Sequence, residues 1–176
     1  NPDCILGLSF WYDDLGNTVA KMPTKDLLIG NGLNMSFRKD VLKEIGLFDI
    51  NLGAGAVGCS ADDTDIVYRL LAIGKKIIFS DKPQVTHMQR ISNKQIESIS
   101  YRDMKGYYFF WLKHLITGKD LYATKRMYWS FTGIIGEFIF TFRSKDIKKR
   151  RRKWLQITGA LSGIIVGIKF YIFKIR

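Results

Sequence analysis

The feature that most constrains this chain is a run of acidic residues directly in front of an amphipathic segment. Three carboxylates fall within four positions, at Asp62, Asp63 and Asp65. Apolar residues then recur at the spacing of one helix face, which predicts an α-helix that ends at Gly74. Ser60 stands just ahead of the acids, in the position of an N-cap. The acids are therefore expected at the N-terminus of a helix.

Acidic residues at a helix start have two interpretations. A capping acid suits the helix dipole and the unpaired amides, and a single acid is enough for that role. Here three acids follow a loop rich in glycine and alanine, residues 53–61, which can bring several carboxylates to one point. We therefore interpret the cluster as a candidate site.

Charge is distributed unevenly along the 176 residues. Residues 1–100 contain 11 lysines and arginines against 12 acids, whereas residues 101–176 contain 17 against 4. The first part is typical of an ordinary globular domain, and the second predicts a partner of negative charge. The two cysteines lack metal-binding spacing, which favours a reducing compartment.

The first part alternates short strand and helix patterns, which indicates an α/β fold. Gly32 is the second of two glycines that flank Asn31, and glycine allows a ligand to approach the backbone closely. Asn34 stands directly before the next strand pattern. His87 ends the last strand. A lone histidine is usually a packing or surface residue. His87, however, follows the acidic helix by one strand–turn–strand unit, which can bring it back to the same edge of the sheet and makes it a candidate ligand.

Four blocks of this part, taken in order, resemble family 2 glycosyltransferases. They are GLNMSFR (residues 32–38), VLKEIGLFD (41–49), DDTDIVYRL (62–70) and VTH (85–87). The resemblance implies a partial GT-A mixed sheet, the acceptor-side half of a nucleotide-sugar transferase domain, over residues 1–100. The resemblance ends at about residue 87, and the composition of residues 101–176 predicts an all-α amphipathic and apolar tail.

The resemblance assigns roles to individual residues. Asp63 matches the catalytic base, and Asp62 replaces the glutamate that usually precedes it. The acceptor side would be supported by Asp62, Asp65, Asn34 and Gly32. His87 matches a position that in some members contributes to the metal site.

The implied reaction is inverting transfer of a sugar from a nucleotide-sugar donor to a hydroxyl acceptor. The Gln-x-x-Arg-Trp block of processive members is not found, which favours addition of one sugar per encounter. The divalent metal, Mg²⁺ or Mn²⁺, would have its main ligands in a donor-binding half upstream of the four blocks. We therefore expect the chain to be a fragment that is inactive alone.

Residues 101–176 combine apolar segments with a basic run. Residues 127–142 and 154–173 are apolar, residues 148–153 are all lysine or arginine, and glycines at 159, 163 and 167 share one helix face. Nucleic-acid binding explains the cations only, and a packed helical hairpin explains the apolar faces only. Contact with an anionic membrane surface explains both, so we expect no nucleic-acid partner.

Residues 154–173 are long enough to span a bilayer, but basic residues flank both ends, so the orientation is open. We prefer a helix that lies in the membrane plane or re-enters it. The predicted location is the cytoplasmic face of the cell membrane, either peripheral or with one C-terminal membrane helix. A lipid-linked acceptor would then place the enzyme in the synthesis of cell-envelope polysaccharide or glycolipid. The alternative is a non-catalytic, membrane-bound interaction module.

Overall fold

The computed structural model describes residues 4–12, 18–21, 32–87, 92–143 and 146–173. The elements in chain order are β1 (Cys4–Tyr12), β2 (Thr18–Lys21), β3 (Met35–Phe37), α1 (Lys39–Ile45), α2 (Asp62–Ala72), β4 (Ile77–His87), α3 (Asn93–Thr117), α4 (Leu121–Arg143) and α5 (Ile147–Tyr171). They fall into two compact units. The first contains β1 to β4 with α1 and α2, and the second contains the loop Ile50–Ala61 with α3 to α5. The two units therefore alternate along the sequence, and the boundary that we predict after residue 100 stays a prediction.

The first unit is built on a small sheet with β1 in its centre. Along one edge of β1 runs β4, in parallel, while β3 and β2 pair with β1 in antiparallel fashion near its start and its end. The pairing of β1 with β4 shifts register after Ser80, and it resumes at Gln84. The extra residues of β4 form a bulge, which is the point where the sheet approaches the candidate site.

The predicted fold class, an α/β fold with a partial GT-A mixed sheet, is wrong for this chain. The described chain is mostly helical. The three helices of the second unit have 25, 23 and 25 residues, whereas β2 and β3 have only four and three. A strand pattern in the sequence is a local signal. It does not predict the size of the sheet relative to the helices that follow.

The core of the first unit lies between the sheet and the two short helices. Its buried residues are Cys4, Val41, Ile66, Val67 and Leu70. The apolar face of α2 supplies three of these side chains, as its helical spacing predicts. Both short helices end before a glycine with positive φ, Gly46 at 81° and Gly74 at 73°, a backbone conformation that other residues rarely adopt.

The second unit is a group of three helices around an aromatic core. Four consecutive aromatic residues of α3, Tyr108 to Trp111, are all buried. Contacts of α3 with α4 pair Tyr108 with Met127 and Trp111 with Tyr122, so these helices are antiparallel.

Helix α5 runs parallel to α3 and packs against it closely. A methyl group placed on Gly159 would lie closer than 3.0 Å to the Tyr101 carbonyl oxygen, and one on Gly163 equally close to that of Lys105. On Gly167 it would lie 2.7 Å from Leu112 Cδ2. The prediction that the glycine face of this helix allows close helix contact is confirmed.

Candidate active site

Asp63 lies in the first turn of α2, and its half-buried carboxylate is held by backbone amides. Oδ2 accepts the N–H of Gly32 at 2.9 Å, and Oδ1 accepts the N–H of Thr64 at 2.7 Å. The Thr64 hydroxyl also donates to Oδ1, at 3.3 Å. These bonds fix the carboxylate at the N-terminus of the helix, where the helix dipole favours its charge.

The bonds leave Asp63 with the capacity to accept another hydrogen. A carboxylate offers about four acceptor sites, two on each oxygen. Bonds from the described residues use two of these sites on Oδ1 and one on Oδ2. With respect to that part of the chain, Oδ2 retains an acceptor site on a side chain that solvent partly reaches. Asp63 is therefore engaged with neighbouring amides, but it is not enclosed by them.

Gly32 and Asn34 connect the start of α2 to the bulge in β4. The Asn34 side-chain amide donates to the Pro83 carbonyl oxygen at 2.9 Å, while the N–H of Gly32 binds Asp63. The sequence patterns around Gly32 and Asp63 are 31 residues apart, and the structure brings these two predicted residues together. Asn34 positions the backbone between them and the sheet.

Asp65, which we predict to support the acceptor side, is instead a structural residue. It is fully buried, and its Oδ2 accepts the Nε–H of Arg69 at 2.8 Å. The same guanidinium donates to the carbonyl oxygens of Ile45 and Leu47, at 2.6 and 2.8 Å. Arg69 thus ties α2 to the C-terminus of α1. Sequence reasoning missed it, although an acid and an arginine four residues apart on a helix are a recognised ion-pair signal.

The other predicted positions have different outcomes. Asp62 is the half-buried first residue of α2. The backbone of His87 ends β4 opposite Trp11, but the side chain lies outside the described residues. The predicted N-cap, Ser60, donates its hydroxyl to the carbonyl oxygens of Arg102 and Asp103, at 3.3 and 3.5 Å.

The described side chains do not fit a divalent metal. Among the residues that the structure describes, no three His, Cys, Asp or Glu side chains are grouped so that they could hold an ion. Asp63 is bonded to amides and the fully buried Asp65 to a guanidinium, and neither belongs to such a group. The expectation that the metal's main ligands lie in a preceding donor-binding half stays a prediction.

Helix α5 is the one described helix that is long and apolar enough to cross a membrane. Only 28% of its apolar stretch is buried within the protein. This is compatible with membrane association, although a core helix of a soluble protein can have the same length and composition.

Comparison with known proteins finds no family model, no curated protein and no solved structure that matches this chain. The likeness to family 2 glycosyltransferases therefore depends on the four sequence blocks alone.

Proposed function

We propose that this chain carries the catalytic base of an inverting, non-processive glycosyltransferase. The observation that carries the proposal is the half-exposed Asp63 carboxylate, whose Oδ2 is oriented by the N–H of Gly32 and retains an acceptor site. A sugar hydroxyl is a poor nucleophile at neutral pH and needs a positioned base within hydrogen-bond reach. A fixed carboxylate with one open acceptor site is suited to that role.

In the proposed reaction, Asp63 accepts the proton of the acceptor hydroxyl as its oxygen attacks the anomeric carbon. The new carbon–oxygen bond forms on the face opposite the nucleotide, and the bond from the anomeric carbon to the diphosphate breaks. The nucleoside diphosphate leaves with the bonding electron pair, and the configuration inverts. The Gly32 and Thr64 amides hold the carboxylate in one orientation, which lowers the entropic cost of reaching the transition state.

We further propose that the reaction takes place at the cytoplasmic face of the cell membrane, on a lipid-linked acceptor of cell-envelope polysaccharide or glycolipid synthesis. The excess of basic residues in residues 101–176 and the apolar helix α5 support this location.

The test is a screen of nucleotide-sugar donors with the complete gene product, in which donor hydrolysis and transfer are both measured. Asp63→Asn is the decisive variant, because it removes the base with little change in shape. Asp40→Asn is the matched control, since Asp40 is exposed on α1 and pairs with Arg38. Loss of turnover in Asp63→Asn alone supports the proposal, and unchanged turnover in that variant contradicts it.

The alternative, a non-catalytic membrane-bound interaction module, has the apolar helix α5 in its favour. The same screen separates the two functions. A complete gene product that binds membranes but turns over no donor of the panel is the result expected of the module.

A further inference from the structure

The outward side of α4 is an apolar face that nothing covers within the described part of the chain. Its exposed aromatic residues include Trp129, at 64%, and Phe140, at 59%. Tyr128 and Ile139 lie beside them. Leu121 begins the same face, about two helical turns before Tyr128. The positions recur at intervals of seven, eight and eleven residues, so they form one stripe along the helix, within which Lys125 and Thr132 are also exposed.

The opposite side of α4 already faces the protein core. Ala123, Ile134 and Thr141 are buried there, and Ile134 packs in the cluster that contains Tyr108. Helix α4 thus carries large apolar side chains on both sides, although only one side has packing partners among the described residues. Exposure of such a large apolar area to water is unfavourable in free energy, so this face is expected to have a binding partner.

Cations are concentrated beside the end of this face. Lys148, Lys149 and Arg151 are exposed in the first turns of α5, which follows α4 after a short connection. Arg150 places its guanidinium 5.0 Å from the ring centre of Phe142, near the end of α4. An aromatic and apolar face next to such a basic run matches an anionic lipid surface, where aromatics enter the interface and cations meet the headgroups.

The packing of α5 argues that this helix does not cross the bilayer. Its glycine face is in contact with the backbone of α3 at Tyr101 and Lys105. Next to these residues α3 exposes two charged side chains, Arg102 and Asp103. A spanning α5 would carry that part of α3 to membrane depth, where charged groups are strongly disfavoured.

We propose that the second unit binds an anionic phospholipid bilayer through the outward face of α4 and the basic start of α5, with both helices in the membrane plane. The inference deepens the proposed membrane location, and it does not depend on the proposed sugar transfer. Trp129 and Phe140 enter the interface, and Lys148 and Lys149 bind headgroup phosphates. A second copy of the chain on the same face is the competing occupant.

The test is co-sedimentation of the full chain with vesicles of phosphatidylcholine alone or of an equimolar mixture with phosphatidylglycerol. The double variant Trp129→Ser/Phe140→Ser is expected to bind the mixed vesicles about tenfold or more weakly. Lys148→Gln/Lys149→Gln is expected to bind them about 30-fold more weakly, since each basic residue contributes roughly fivefold near an anionic surface. Circular dichroism verifies that the variants are folded. If the apolar double variant does not fold, the lysine double variant still tests the proposal.

Matched controls come from exposed residues that are not part of this face. Ile50→Ser removes an apolar side chain that is 89% exposed, and Lys39→Gln/Lys43→Gln removes two exposed cations of α1. Neither control is expected to change vesicle binding. Treatment with alkaline carbonate is expected to release the bound protein, as it does for proteins that do not span the bilayer.

Three results would overturn the proposal. The first is equal binding to neutral and mixed vesicles, and the second is protein that stays in the carbonate pellet. The third is a dimer in solution that Trp129→Ser/Phe140→Ser dissociates, which would make the face an interface between copies. The vesicle experiment contains no nucleotide-sugar donor. Its result is therefore independent of whether the protein transfers sugar.

Discussion

The carboxylate of Asp63 accepts the backbone N–H of Gly32 at 2.9 Å, across 31 residues of chain. This bond joins the start of α2 to the turn that leads into β3. The Asn34 amide continues the connection to the bulge of β4. The candidate site is therefore a product of the tertiary fold, although each of its residues lies in a sequence block that is visible by itself.

We expect Asp63→Ala to destabilise the protein by about 1–2 kcal/mol, because it removes a charged acceptor from the amides of Gly32 and Thr64. Gly32→Ala is the matched change at the other end of the bond. A methyl group there would lie 3.5 Å from the Asp63 side chain, an ordinary contact, and the N–H is kept. Urea unfolding measures both. Gly32→Ala is therefore expected to be more stable than Asp63→Ala. If the two variants are equally unstable, loss of the bond between Gly32 and Asp63 does not explain the effect of Asp63→Ala.

We expect Arg69→Met to be among the most destabilising substitutions in the first unit, by about 3–5 kcal/mol. It removes the guanidinium beside the fully buried Asp65 carboxylate, and a buried charge that loses its partner is costly. It also removes donors from the carbonyl oxygens at the end of α1.

A double-mutant cycle tests that explanation. Asp65→Leu/Arg69→Met removes the buried charge together with its partner, so it should be more stable than Arg69→Met alone. If the double variant is the less stable of the two in urea, the ion pair is not the source of the effect.

The sequence was sufficient to predict several local elements, because their signals are local. The apolar spacing of residues 62–74 and the terminal glycine predicted α2, which the structure has at Asp62–Ala72. The glycines at 159, 163 and 167 predicted a close helix contact, and that contact exists with α3. Each prediction needed only the periodicity of one segment.

The predictions that failed depend on relations between segments. The fold class was wrong, because the strand patterns did not reveal how small the sheet would be beside three long helices. Asp65 looked equivalent to Asp63 in the sequence, but its position on the helix turns it inward to Arg69. The bonds that the Ser60 hydroxyl donates to carbonyl oxygens of α3 were not predicted either, because they join residues about 42 positions apart. The assignment to a glycosyltransferase family stays a prediction.

Gly163→Ala is expected to destabilise the second unit by about 1–3 kcal/mol, as overpacking of a tight contact does. Its methyl group would be closer than 3.0 Å to the Lys105 carbonyl oxygen and 3.1 Å from Tyr108 Cβ. Gly136→Ala in α4 is the matched control, because no atom of the described residues lies within 4 Å of its added methyl group. Replacing an open helical glycine by alanine should stabilise the helix by up to about 1 kcal/mol. Thermal unfolding should therefore shift in opposite directions for the two variants, and shifts in the same direction would contradict the packing described for α5.

Alkaline pH should weaken the first unit through Cys4. Burial raises the pKa of the Cys4 thiol from 9.0 to about 12. Because the folded state holds this proton more tightly than the unfolded state, the stabilisation is complete below about pH 9 and is lost as the pH rises from there towards 12. The slope attributable to the thiol is about 1.4 kcal/mol per pH unit within that range.

Urea midpoints measured from neutral pH to about pH 11 test this expectation. Cys4→Ala is expected to be less stable at neutral pH, because it loses buried volume, but to have a flatter decline above pH 9. Cys59→Ala is the control, since Cys59 is only half-buried and belongs to the second unit. Tyrosine and lysine ionisation affects all three proteins alike, so the difference in slope isolates Cys4. Parallel pH profiles for the native protein and Cys4→Ala would mean that the buried thiol does not contribute to alkaline unfolding.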